Sequence, residues 1–165
     1  MRPPAGCAAG RTNLGGHAAW SGRGWHAAGV TDSLAERAAA ALAIPLQVAL
    51  EARALDPADP AAGVVFPVSG LALNPGGTLH AGALGSIMEL TGFLALLPHL
   101  DAAEHAVTHH VSTQILSPGR AGEEVTVTAV VERRTRRLGF VTATAAAGNR
   151  LVARAQITTS VVDLG

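Results

Sequence analysis

Hydrophobic residues recur along the chain at two different spacings, which predict two kinds of element. Residues 34–42 are rich in Ala and Leu behind the N-cap candidate Ser33, which predicts a helix that ends by Pro45. Residues 46–55 alternate well enough to predict a strand with its even-numbered apolar side chains on one face. A second strand is expected at residues 64–68.

A long apolar stretch follows over residues 80–97 and is closed by Pro98. Apolar side chains fall on nearly every face of this predicted helix, so we expect it to be buried all round. The last third of the chain is β-branched and broken by short turns, which predicts four strands: residues 107–116, 124–133, 138–146 and 151–161. Their spacing predicts an antiparallel meander around the central helix, an α+β architecture.

The composition limits the function classes. The chain has 165 residues, 12 basic and 12 acidic side chains and no net charge, which argues against a nucleic-acid or anionic-membrane binder. Hydrophobic residues make up 48% and charged residues 15%, so we expect another subunit to cover part of the surface. All basic side chains are Arg, which excludes a catalytic lysine.

Residues 1–30 are rich in Gly, Ala and Arg and have no helical or strand period. We predict a flexible N-terminal arm there and a single domain over residues 31–165. Cys7 has no second cysteine for an intrachain disulfide. We find neither a secretory signal pattern nor an apolar run of about 20 residues, and so expect a cytoplasmic protein.

Glu89 lies in the middle of the apolar helix, where an unpaired carboxylate is costly to bury. The residues one turn away, Gly85, Ser86 and Gly92, are among the smallest in that helix. A carboxylate above a strip of small residues indicates space reserved for a ligand. The alternative is a structural carboxylate that pairs with an arginine or lies at a subunit contact.

The loop over residues 74–80 leads directly into the helix. Free backbone N–H groups near Ala81 and Gly82 would form a positive end that can hold a carbonyl oxygen as it gains charge. An oxyanion site near a buried carboxylate suits acyl transfer to water. The alternative for the loop is a tight turn with a helix cap, and His80 is more often a capping residue than a base.

Together, Asn74, the segment His80-Ala81-Gly82 and Glu89 nine positions after the histidine resemble a known family pattern. They are similar to the PaaI-like group of hotdog-fold acyl-CoA thioesterases, in the 4-hydroxybenzoyl-CoA thioesterase superfamily. Thr108 at the start of a strand also matches this pattern. The resemblance implies a hotdog fold, an antiparallel sheet wrapped around one long buried helix.

The resemblance also implies roles for the catalytic residues. Glu89 would be the general base or nucleophile, and Asn74 would hold the thioester carbonyl or the attacking water. His80 would orient the turn, the Ala81 N–H would be the oxyanion donor, and Thr108 would position water. The family usually has Gly where this chain has Ala81, and a positive φ there would strain alanine.

The implied reaction is hydrolysis of an acyl- or aryl-CoA thioester to the free acid and CoA, or of an acyl-carrier thioester. We expect the substrate to contact Gly82, Gly85, Ser86 and Gly92. Arg134 and Arg136 are candidates for the CoA phosphates, although a solvated turn is the alternative.

We expect no cofactor, because coenzyme A is part of the substrate. Adjacent His109 and His110 point to opposite faces of a strand, so we also predict no metal site. The resemblance implies a homodimer or homotetramer with the site shared between chains. A hydratase or dehydratase of the same fold and a non-catalytic acyl-ligand-binding protein remain as alternatives.

Overall fold

The structure is a computed structural model that describes residues 33–164. The predicted arm over residues 1–30 lies outside the described residues. The helices are α1 (Leu34–Leu42), α2 (Pro45–Ala49) and α3 (Ala81–Leu96). The strands are β1 (Arg53–Ala54), β2 (Val64–Pro67), β3 (Glu104–Ile115), β4 (Glu124–Arg134), β5 (Leu138–Ala147) and β6 (Arg150–Asp163).

The six strands form one antiparallel sheet in the order β1-β2-β4-β5-β6-β3. Short turns join β4, β5 and β6, so these three form the expected meander. The predicted four-strand meander is wrong for β3, which pairs with β6 at the sheet edge. The physical reason is the connection of eight residues from β3 to β4, which is long enough to cross from one edge of the sheet to a strand beyond β5.

Helix α3 lies against this sheet and is the centre of the core. Its apolar side chains are buried against inward-facing strand residues such as Val125, Val127, Ala143 and Ile157. The long central helix and the wrapped antiparallel sheet confirm the hotdog fold. The segment Ala81–His99 is long and apolar enough to cross a membrane, and 67% of its most apolar 18 residues are buried inside the domain.

The helix expected at residues 34–42 is confirmed. Ser33 accepts a hydrogen bond from the Glu36 backbone N–H, and the Glu36 side chain accepts from Ser33, which is a capping box. Through Arg37, α1 is tied to the start of β3, because the guanidinium donates to the backbone carbonyl of Glu104 at 2.7 Å.

The strand predicted at residues 46–55 is wrong for most of its length, since only Arg53–Ala54 form a strand, β1. Pro45 is the first residue of a short helix, where its missing N–H and fixed φ are tolerated. Leu46 and Val48 are 51% and 60% exposed, whereas Gln47 between them is only 4% exposed. Apolar and polar residues do alternate here, but the polar side chain of Gln47 faces inward and the apolar side chains of Leu46 and Val48 face outward.

Candidate active site

The loop before α3 is organised by Asn74. Its Oδ1 accepts hydrogen bonds from the backbone N–H groups of Gly76 and Thr78, and its Nδ2 donates to Thr78 Oγ1 at 2.8 Å. Gly77 has a φ of 73°, which glycine adopts without strain. The Asn74 amide therefore holds the loop together, which is a different use from the expected contact to a thioester or water.

His80 is the N-cap of α3. Its Nδ1 accepts a hydrogen bond from the Gly82 N–H at 2.9 Å, and its own N–H donates to the Ala72 carbonyl oxygen. The residue has the capping role that the sequence favoured over that of a base. Because the cap uses the Gly82 N–H, that group is not free to bind an anion.

The Ala81 N–H has no acceptor among the described residues and stands at the positive end of a 16-residue helix. Ala81 lies within the helix and is not among the described residues with positive φ. Alanine is therefore unstrained at this position, and glycine is not required for the backbone conformation.

Glu89 lies on the one half-open strip of α3 within the described residues. Ala81 and Gly82 are exposed, and Gly85, Ser86 and Glu89 are partly exposed, whereas the other residues of the helix are buried. Thr108 on β3 donates its hydroxyl hydrogen to Glu89 Oε1 at 2.7 Å. None of the ion pairs found in residues 33–164 includes Glu89.

A cavity of about 440 Å³ opens beside Glu89. Its wall on the α1–α2 side is formed by Ala41, Ile44 and Gln47. The opposite walls come from α3, β3 and the end of β6 and are mainly apolar. A carboxylate with one hydroxyl partner therefore faces an apolar cavity, an arrangement that suits acyl groups.

Ala81 and Glu89 are eight residues apart on one helix. At 1.5 Å per residue this separation is about 12 Å along the helix axis. One carbonyl group is far too small to contact both groups of the same chain. The two candidate groups, the Ala81 N–H and the Glu89 carboxylate, therefore cannot act on one carbonyl group within a single chain.

The structure places the remaining predicted site residues elsewhere. Gly92 is buried, and an added Cβ would lie 2.7 Å from Ile157 Cδ1, so this glycine serves packing against the sheet. Arg134 forms a part-buried ion pair with Glu104 at the start of β3. Arg136 is exposed at the β4–β5 turn.

Two titratable groups near the cavity are shifted by their surroundings. Burial, reinforced by the nearby positive charge of Arg37, lowers the pKa of His105, which lines the cavity and packs on the Phe93 ring with centroids 5.4 Å apart. The hydrogen bond from Arg134 holds the pKa of Glu104 below its ordinary value. In residues 33–164, no group of three or more His, Cys, Asp or Glu side chains could hold a metal ion.

Sequence reasoning missed Gln47. Its Nε2 donates to Ser86 Oγ at 3.1 Å, one helical turn before Glu89. The sequence carries no local signal for this contact, because residues 46–55 favour a strand with Gln47 pointing outward. The contact depends on the packing of α2 against α3.

The geometry agrees with comparisons to known proteins. The sequence pattern described as the thioesterase superfamily matches residues 76–154, which include the Ala81 N–H, Glu89 and Thr108. No curated protein sequence matches the chain.

Solved structures share the fold. A thioesterase from Haemophilus influenzae matches with a TM-score of 0.70 and 21% identity, over 81% of this chain and 93% of that chain. A conserved protein from Pseudomonas aeruginosa is 30% identical with a TM-score of 0.56, over 61% of this chain and 79% of that chain. A protein from Bacillus halodurans, solved with CoA, matches with a TM-score of 0.58 and 18% identity, over 61% of this chain and 67% of that chain.

The superfamily resemblance is thus confirmed by a family match over residues 76–154, which include His80 and Glu89, whereas Asn74 lies just before the matched residues. The chain belongs to the thioesterase superfamily and is a thioester hydrolase of the hotdog fold.

Proposed function

We propose that the protein hydrolyses an acyl- or aryl-CoA thioester to the free acid and CoA, with Glu89 as the reacting carboxylate. The observation that carries this proposal is Glu89 itself: a carboxylate outside any ion pair of the described residues, held by Thr108 and facing a 440 Å³ apolar cavity.

In the proposed reaction the acyl group enters the cavity and its carbonyl oxygen accepts a hydrogen bond from an Ala81 N–H. Glu89 removes a proton from a water molecule whose oxygen attacks the carbonyl carbon. The C–S bond then breaks, and the CoA sulfur leaves and takes up a proton. Alternatively, a Glu89 oxygen attacks first, CoA leaves, and water hydrolyses the resulting anhydride.

We call the Ala81 N–H and the Glu89 carboxylate the two half-sites, and a homodimer would bring them together, since they are about 12 Å apart in one chain. In this proposal the Ala81 N–H of one chain faces Glu89 of the other. The edge strand β3 supports such an assembly because its outer edge is unpaired and Val107, Val111 and Ile115 are 50%, 37% and 48% exposed. A pair of dimers would give the tetramer that the resemblance also allows.

Coenzyme A as the carrier is supported by the Bacillus halodurans protein, which shares the fold and was solved with CoA. We propose Arg136 as a contact for the CoA phosphates, since it is exposed. Arg134 is a weaker candidate for this contact because its guanidinium already pairs with Glu104.

The test is release of free thiol from a panel of acyl- and aryl-CoA thioesters by the wild type, Glu89→Gln and Ala81→Pro. Glu89→Gln should lower kcat by orders of magnitude while leaving the fold intact. Ala81→Pro removes the proposed oxyanion donor at the first helical position, where proline is tolerated, and should lower kcat by about 100-fold. Unchanged turnover by Glu89→Gln, or no thiol release from any thioester by the wild type, would refute the proposal.

A further inference from the structure

Helix α2 buries its polar residue and exposes its apolar ones. Gln47 is 4% exposed, whereas its neighbours Leu46 and Val48 are 51% and 60% exposed. Rotating α2 to bury either of these side chains would gain apolar burial and return the amide to water. The fold instead buries the Gln47 side chain, so we expect its amide to have a binding or positioning role.

The hydrogen bonding of Gln47 is only half complete. Its Nε2 donates to Ser86 Oγ at 3.1 Å, and its Oε1 is buried with no hydrogen-bond partner. A buried amide oxygen without a donor is unfavourable. The hydrogen bond to Ser86 holds the Gln47 amide beside α3, one helical turn before Glu89. The amide oxygen, Oε1, is then a strong acceptor without a donor.

Gln47 also lines the cavity that Glu89 faces. The other residues on this wall, Ala41 and Ile44, are apolar. The terminal torsion of a glutamine side chain is broad, so a modest change in it would bring Oε1 to the cavity surface while the amide stays beside Ser86. A hydrogen-bond donor on a bound acyl group would complete the bonding of this oxygen.

We propose that Gln47 is a specificity-determining residue that selects acyl groups carrying a hydrogen-bond donor, such as a hydroxyl group, with Ser86 as its positioning residue. This inference rests on the proposed hydrolysis of acyl- or aryl-CoA thioesters at the Glu89 site. A site with a buried acceptor disfavours a substrate that lacks the donor, because the acceptor then remains unpaired.

The experiment compares kcat/KM for matched thioesters on one aromatic and one straight-chain acyl scaffold. Each scaffold is tested unsubstituted, with a hydroxyl group, and with a methoxy group that cannot donate. For at least one scaffold, the wild type should prefer the hydroxyl compound by about tenfold over both others. Equal rates for the hydroxyl and methoxy compounds on both scaffolds would overturn the inference.

Variants then assign the preference to Gln47. Gln47→Met removes the amide at similar volume and should abolish the preference, so that the hydroxyl, methoxy and unsubstituted thioesters are hydrolysed with similar kcat/KM. Ser86→Ala frees the amide and should weaken the preference. Val48→Ala, at the exposed neighbour, is the matched control and should leave the preference unchanged.

A merely structural role for Gln47 gives a different result. In that case Gln47→Met would lower stability and slow all thioesters alike, and a preserved hydroxyl preference in this variant would overturn the inference. If Gln47→Met does not fold, equal wild-type rates for the hydroxyl and methoxy compounds would still overturn the inference, and a weakened preference in Ser86→Ala would still support it. Absence of any thioester hydrolysis would instead contradict the proposed function, so the two failures are distinguishable.

Discussion

Thr108 on β3 donates a hydrogen bond to Glu89 on α3 at 2.7 Å, which joins the edge strand of the sheet to the central helix. The pairing of β3 with β6 shifts register directly after Thr108, between Thr108 and His110. Such a bulge re-aims a side chain at the point where it occurs. The strand irregularity and the carboxylate contact thus coincide at the candidate site.

Removing this hydroxyl should reduce turnover without unfolding the protein. Thr108→Val keeps the shape of the side chain but leaves Glu89 Oε1 without its donor, so the carboxylate loses its fixed orientation. We expect kcat to fall by about tenfold, which corresponds to roughly 1.4 kcal/mol. Thiol-release kinetics provide the measurement, and Thr108→Ser is the control that should retain most activity. Equal loss in both variants would contradict this account, because Thr108→Ser retains the hydroxyl that donates to Glu89.

The sequence predicts α3 and the four long strands because each has a sustained hydrophobic pattern. The position of β3 was not predictable, because the partner of a strand depends on the path of the connection and not on its own residues. Glu89 and the N-terminus of α3 were found from the cost of a buried carboxylate and from the family resemblance. Gln47 was missed because its burial depends on Ser86, a residue 39 positions later.

Complementation between inactive chains tests whether the site is shared. Ala81→Pro and Glu89→Gln each remove one half-site, so each homodimer should be inactive. In a mixed dimer, one site combines the intact Ala81 N–H of one chain with the intact Glu89 of the other. Co-expression with separate affinity tags should therefore restore about a quarter of wild-type activity in a statistical mixture. If purified mixed dimers form but stay inactive, both half-sites act within a single chain.

Two glycines of α3 should respond in opposite ways to alanine. At Gly92 an added Cβ would lie 2.7 Å from Ile157 Cδ1, whereas at Gly85 it would meet nothing within 4 Å. We expect Gly92→Ala to lower the free energy of unfolding by about 1–2 kcal/mol, and Ile157→Val in the same chain to recover part of that loss. Gly85→Ala should keep or raise stability through helix propensity while lowering activity, because it narrows the open strip. Urea unfolding and thiol release measure the two effects. Stability loss at Gly85, or none at Gly92, would contradict this account of the helix.

Acid should weaken the fold in two stages. Burial lowers the pKa of His105 from its ordinary 6.5, so the unfolded chain binds that proton more readily than the folded one. The stability tied to neutral His105 is therefore complete above about pH 6.5 and declines as the pH falls through the lowered folded value. The Arg134 hydrogen bond lowers the pKa of Glu104 from 4.5, so the stability that ionised Glu104 contributes is present above that pH and is lost on further acidification.

Urea unfolding at a series of pH values measures both stages. His105→Phe keeps a ring beside Phe93. This variant should lose the first decline in stability, below pH 6.5, and keep the second. If its stability still declines below pH 6.5 as in the wild type, His105 is not the source of that decline.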